Sequence, residues 1–167
     1  MAYDQRQRGN PGARPPQRQP DAIPTSQFSD IKLSKPLDPE LFNDKARQAA
    51  QAVSRGDAQR NKSTQLRRFY DELVSWENRL SQFVGQLDGD AEARKREAEG
   101  KFQEILPFIR MLNAKAAYAE GRKLVDRTFV DLLHQTLAEV KDPETLTACK
   151  LFWEAFMGFY KQERGQD

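Results

Sequence analysis

Between residues 63 and 87 apolar side chains recur in steps of three and four: Leu66, Phe69, Tyr70, Leu73, Trp76, Leu80, Phe83, Val84 and Leu87. That spacing puts them on one face of a helix turning about 100° per residue. Ser63 or Thr64 can cap its start, and Asp88-Gly89 marks its end. Period-two alternation, the mark of a half-buried strand, is absent along the chain. The pattern predicts an all-α protein, a five-helix bundle.

The other four helices follow from caps and periodicity. Asp38-Pro39-Glu40 reads as N-cap, first helical position and an acid at the positive end of the dipole. From there a first helix runs to about Arg55, where Gly56 can cap it. Its apolar content (Leu41, Phe42, Ala46, Ala49, Ala50, Val53) is light, so it is expected to dock peripherally. Between Leu87 and Phe102 no large apolar residue occurs, which suits either a polar helix or a mobile connection.

Phe102, Ile105, Phe108, Ile109 and Leu112 begin a third core helix, with Pro107 near its start or at a kink. A fourth runs from about Lys123 to Val140 on Val125, Phe129, Leu132, Leu133 and Thr136. Asp142-Pro143-Glu144 repeats the cap signal and opens a fifth. In that last helix Leu146, Cys149, Phe152, Trp153, Phe156, Met157, Phe159 and Tyr160 cover about 160° of the wheel. It is either the central column of the bundle or buries one edge against another chain.

Residues 1–37 read differently. Six prolines, four arginines and few large apolar groups cannot bury enough surface to offset the entropy of ordering, so this segment is expected to be a disordered basic tail. The bundle domain is then 38–167. Net charge is only +2, but it is uneven: residues 101–127 hold six basic against three acidic side chains, and 128–167 four against seven. Any polyanion must be met by a localised patch. One cysteine excludes an internal disulfide, no apolar run is long enough to cross a bilayer, and a cytoplasmic setting without membrane contact is expected.

The segment Leu112–Arg122 carries two stripes. Phe108, Ile109, Leu112, Ala116 and Ala119 share one face, while Met111, Lys115, Tyr118 and Arg122 align on a neighbouring one. Two cations flanking a tyrosine suit a phosphate backbone with exposed bases, since the cations release counterions and the ring stacks without reading identity. The same geometry also describes long side chains rimming an ordinary core, and helix through Gly121 is required. Arg67 lies well away from its helix's apolar face and is free to reach a ligand; Arg68 is expected to pair with Glu72, and Glu120 with Lys123.

Catalytic constellations are missing. His134 is the only histidine and falls off its helix's apolar face, Cys149 sits inside an apolar stripe, and one of each cannot build a zinc site. No glycine-rich phosphate loop or G-x-S-x-G elbow occurs, so neither enzymatic activity nor a cofactor is expected.

Three segments in order, STQLRRFYDEL (63–73), LNAKAAYAEGR (112–122) and LFWEAFMGFYK (151–161), resemble the small helical subunit of the type III-A CRISPR (Csm) interference complex. Gln65 and Arg67 match the first motif, Lys115, Tyr118 and Arg122 the second, and Phe152, Glu154, Phe156 and Tyr160 the third. Ala114 stands where relatives often carry proline, a departure that bears on the helix path just before Lys115.

The resemblance implies a non-catalytic five-helix protein whose copies stack head to tail along a ribonucleoprotein filament. They would face the repeating backbone subunits that hold the guide RNA, beside the polymerase-like large subunit, with a basic surface along guide and target RNA. Arg67, Lys115, Tyr118 and Arg122 are then the leading RNA contacts, with Arg68, Lys123 and Arg127 as further candidates. A different reading is a self-associating helical interaction protein whose basic stripe is only a rim.

Overall fold

The computed structural model describes residues 27–165, and no strand occurs among them. A π-helical turn, Leu41–Lys45, runs directly into α1 (Ala46–Ser54). It is followed by α2 (Ser63–Gly85), α3 (Ala91–Gly121), α4 (Arg127–Ala138) and α5 (Pro143–Arg164). The all-α, five-helix expectation holds.

Helix α5 is the column around which the rest is built. Leu146, Cys149, Phe152, Trp153, Phe156 and Tyr160 are at most 1% exposed. Their rings form a continuous series: Phe129 to Trp153 at 5.8 Å, Trp153 to Phe156 at 4.8 Å and Phe156 to Tyr160 at 5.4 Å between centroids. Most of the wide apolar arc of α5 is therefore used within one chain, with Met157 and Phe159 at its edge only partly buried. Burial pushes the Cys149 thiol up to about 12, so it stays protonated and inert at neutral pH.

Two expectations fail at the N-terminal side. Helix α1 is not peripheral: Leu41, Ala46, Ala49, Ala50 and Val53 are at most 2% exposed, and α1 packs more extensively on α5 than any other helix does. Small side chains let the two backbones approach, so apolar mass on the wheel understated the contact. Nor is the whole of 1–37 a tail. Residues 1–26 lie outside the described residues, but Phe28, Ile31 and Leu33 are 5%, 2% and 1% exposed and belong to the core. Lys45 fastens this segment through the Asp30 carbonyl at 2.8 Å and the carboxylates of Asp30 and Asp38 at 3.1 and 3.3 Å.

Helix starts follow the aspartates. Oδ1 of Asp90 accepts from the Ala93 amide at 2.8 Å, that of Asp126 from Phe129 at 3.0 Å and that of Asp142 from Thr145 at 2.8 Å. Thr145 Oγ1 accepts the Asp142 amide in return, completing a capping box. Asp38 binds the Glu40 amide at 2.9 Å, but the helix itself begins at Leu41. Ser63 is the first residue of α2 rather than its cap, which falls on Lys62 without a side-chain bond. The polar stretch after Leu87 proves to be the first turns of α3, which continues unbroken past Pro107 and Ala114 to Gly121. Helix α4 is shorter than its apolar pattern, opening at Arg127 because Asp126 caps it.

Between helices, one buried carboxylate joins α2 to α5. Glu77, 5% exposed, accepts through Oε1 from Ser81 and Thr147, both at 3.1 Å, and faces Lys150 across 3.5 Å. Every hydrogen-bonding atom at its buried end has a partner, which is the condition for a charge to be tolerated there.

Candidate nucleic-acid interface

Helices α2 and α3 lie side by side and antiparallel, because rising numbers on one meet falling numbers on the other: Glu72 meets Lys115, Trp76 meets Phe108, and Phe83 meets Lys101. Their seam opens at one end into a groove of about 240 Å³ lined by Arg68, Glu72, Lys115, Tyr118, Arg122 and Leu124, among others. Tyr118 is 67% exposed, and the Arg122 guanidinium sits 5.7 Å from its ring centroid. Gly121 is the last residue of α3 and Arg122 its C-cap, so the helix reaches far enough to keep the Lys115–Tyr118–Arg122 stripe intact.

The stripe reading placed Phe108 in the core, and here the structure differs. Phe108 is 48% exposed and stacks on Trp76, whereas Ile109 and Leu112 are fully buried. A single residue step separates surface from core on this side of α3.

Ion pairing departs from the intrahelical expectation. Glu72 is bound by Lys115 across the seam, with Nζ 2.6 and 2.7 Å from its two oxygens, and not by Arg68. Arg68 and Arg122 take part in no ion pair among the described residues. A wheel drawn for one helix cannot show a partner on the next. Glu120 likewise turns to Arg127, at 4.0 Å, rather than to Lys123.

The seven candidate residues therefore separate. Arg68, Lys115, Tyr118 and Arg122 converge on the groove. Arg67 pairs with Asp71 at 3.6 Å and lines a different cleft of about 510 Å³ with Tyr70, Glu154, Met157 and Lys161. There burial, and secondarily the Glu154 carboxylate, hold the Tyr70 phenol above its ordinary value. Arg127 is engaged by Asp131 at 2.8 Å as well as Glu120, which balances its charge. Lys123 lies just past the helix end at φ 60°, exposed and outside the groove lining.

The arrangement has the charge and the exposed ring that an anion chain with planar bases would call for. Two unpaired guanidiniums and an exposed ring surround an ammonium whose acidic partner is itself on the surface, the side chains of Lys115 and Glu72 being 46% and 29% exposed. Such a surface pair contributes only about 0–1 kcal/mol, so a phosphate can compete for the lysine. His134 is exposed, and no group of three or more His, Cys, Asp or Glu is placed to hold a metal among the described residues. No helix of the described residues is long and apolar enough to cross a membrane.

Sequence comparison agrees with the family resemblance. The three matched segments open α2, close α3 and occupy the middle and end of α5. No curated protein and no solved structure matches the chain. The family model described as Csm2 Type III-A matches residues 37–166, spanning everything from the π-helical turn to the end of α5. The chain belongs to the Csm2 family and is a small subunit of a type III-A CRISPR complex.

Proposed function

We propose that this subunit is a non-catalytic building block. Copies stack along the effector filament beside the backbone subunits and the large subunit, and the α2–α3 groove lies on the sugar-phosphate backbone of guide and target RNA. Base pairing reads sequence in such a division of labour, while protein reads backbone geometry. The observation that carries the reading is the pair of unpaired guanidiniums, Arg68 and Arg122, bracketing the exposed Tyr118 in one groove. Strength comes from repetition: each copy supplies few contacts and the filament sums them. Self-association through the aromatic last helix would have to use its partly buried edge, Met157 and Phe159, since Phe152, Trp153, Phe156 and Tyr160 are buried within the chain.

Arg68, Lys115 and Arg122 all replaced by alanine should weaken target-RNA binding by the assembled complex at least about tenfold, with the melting temperature of the subunit unchanged. Unchanged affinity in a correctly assembled complex would contradict the RNA role. Glu72→Gln makes the opposite prediction. It frees Lys115 and removes a negative charge from the groove, so RNA binding tightens by about threefold in a filter-binding titration. Weaker binding by Glu72→Gln would mean that the pair orients Lys115 instead of competing for it.

A further inference from the structure

Past Lys115, toward the other end of the α2–α3 seam, the surface becomes aromatic. The Trp76 and Phe108 rings stack with centroids 5.3 Å apart and planes 19° from parallel. The Arg79 guanidinium lies 4.7 Å from the Trp76 centroid, and Lys101 Nζ lies 5.5 Å from that of Phe83. Phe108 and Met111 are 48% and 46% exposed. With Tyr118 they put three large exposed apolar groups on α3, a concentration that marks a contact surface.

This strip continues the groove. At about 100° per residue Lys101, Phe108, Met111, Lys115, Tyr118 and Arg122 fall within an arc of about 100°, and Phe108 lies about 15 Å along the axis from Tyr118. Around the strip stand five cations, Arg68, Arg79, Lys101, Lys115 and Arg122, against two acids, Glu72 and Glu104, each already bound by a lysine.

We propose that the Trp76–Phe108 pair is a stacking platform for an unpaired base of the RNA whose backbone the neighbouring groove takes up, an inference that rests on the RNA role proposed above. One face of the Phe108 ring is held by Trp76, which fixes its plane, and its exposure leaves the rest open to a planar ligand. A base stacks on such a face whatever its identity, and the surrounding cations match the phosphates on either side of it. An apolar protein partner is disfavoured by Arg79, which would lose water on docking without gaining a counter-charge, whereas Lys101 already has Glu104 at 2.8 Å.

The test uses the full chain, a fluorescent single-stranded oligouridine and an RNA duplex of equal length at low salt. The single strand should quench tryptophan emission, because Trp76 is only half-buried and stacks on the exposed Phe108 while Trp153 is 1% exposed, and the duplex should not. Phe108→Ala should weaken single-strand binding about tenfold and duplex binding less than about twofold, with Phe108→Tyr restoring it. Equal single-strand binding by wild type and Phe108→Ala without quenching overturns the platform. If the Arg68, Lys115, Arg122 alanine variant still loses binding in that case, the groove reading survives. No binding of either RNA by wild type overturns both. Phe108→Ala that keeps RNA affinity but no longer enters the assembled complex makes the strip a protein-docking surface and overturns the proposal.

Discussion

Trp153→Ala should lower the unfolding free energy by about 4 kcal/mol, the largest single-residue effect expected on stability. The indole is 1% exposed and lies between Phe129 and Phe156, with Phe152 edge-on at 6.3 Å. Its Nε1 donates to Thr136 Oγ1 at 3.1 Å, and that hydroxyl is itself fully buried. Truncation leaves a cavity at the meeting point of α4 and α5 and deprives a buried hydroxyl of one bond, about 1 kcal/mol of the total. Chemical denaturation followed by circular dichroism measures it, and Trp153→Phe should recover about half by refilling the space. A loss under about 2 kcal/mol would mean that the aromatic column collapses easily and is not the centre of the fold.

The second large effect belongs to Asn61, a polar residue that is 0% exposed. Its backbone sits at φ 54°, a left-handed conformation that asparagine tolerates better than most residues. Its amide donates to Leu124 at 3.0 Å, its Oδ1 accepts the Asp126 amide at 2.9 Å, and its Nδ2 donates to the Val53 carbonyl at 3.3 Å. The Tyr160 hydroxyl donates to its carbonyl. Four parts of the chain, the end of α1, the α1–α2 loop, the α3–α4 loop and α5, are thus joined at one side chain and its own peptide.

Asn61→Leu should cost about 3 kcal/mol, from an unsatisfied Asp126 amide and a left-handed backbone with a bulky side chain. Asn61→Gly keeps the backbone free and loses only the side-chain bonds, so it should cost about 2 kcal/mol. Equal losses in the two variants would remove the conformational part of this account. The neighbouring Gly56 is constrained by the same corner: a Cβ there would lie 2.0 Å from Asp126 Oδ2, the carboxylate that caps α4.

What could be read from the chain and what could not divide along a physical line. Features written within one helix were legible: the α2 stripe as far as Leu80, the centre of the α5 stripe, the Asp142-Pro143 cap and the Lys115–Tyr118–Arg122 alignment hold, while Val84 is exposed and Leu87 falls past the end of α2. Features that depend on a neighbouring element were not. Glu72 is bound by Lys115, which the antiparallel packing of α3 on α2 brings beside it, and not by Arg68. The alanines of α1 became core because α5 comes close enough to cover them. Phe28, Ile31 and Leu33 were hidden by the Pro- and Arg-rich residues that precede them, although a fixed lysine, Lys45, was available to fasten the segment. Asn61 gave no periodic signal at all, since its role lies in joining loops.

Consequences for RNA follow from the same groove. Arg68 lines the groove without an acid partner, whereas Arg67 lines a separate cleft. An Arg67→Ala control should therefore affect RNA binding less than Arg68→Ala.

The salt dependence of RNA affinity tests the central claim most directly, because backbone contacts release counterions in proportion to their number. In assembled complexes the logarithm of affinity against the logarithm of salt should be shallower for the variant carrying alanine at 68, 115 and 122, by about two for each engaged copy. Parallel lines for wild type and variant would show that no phosphate sits in the groove.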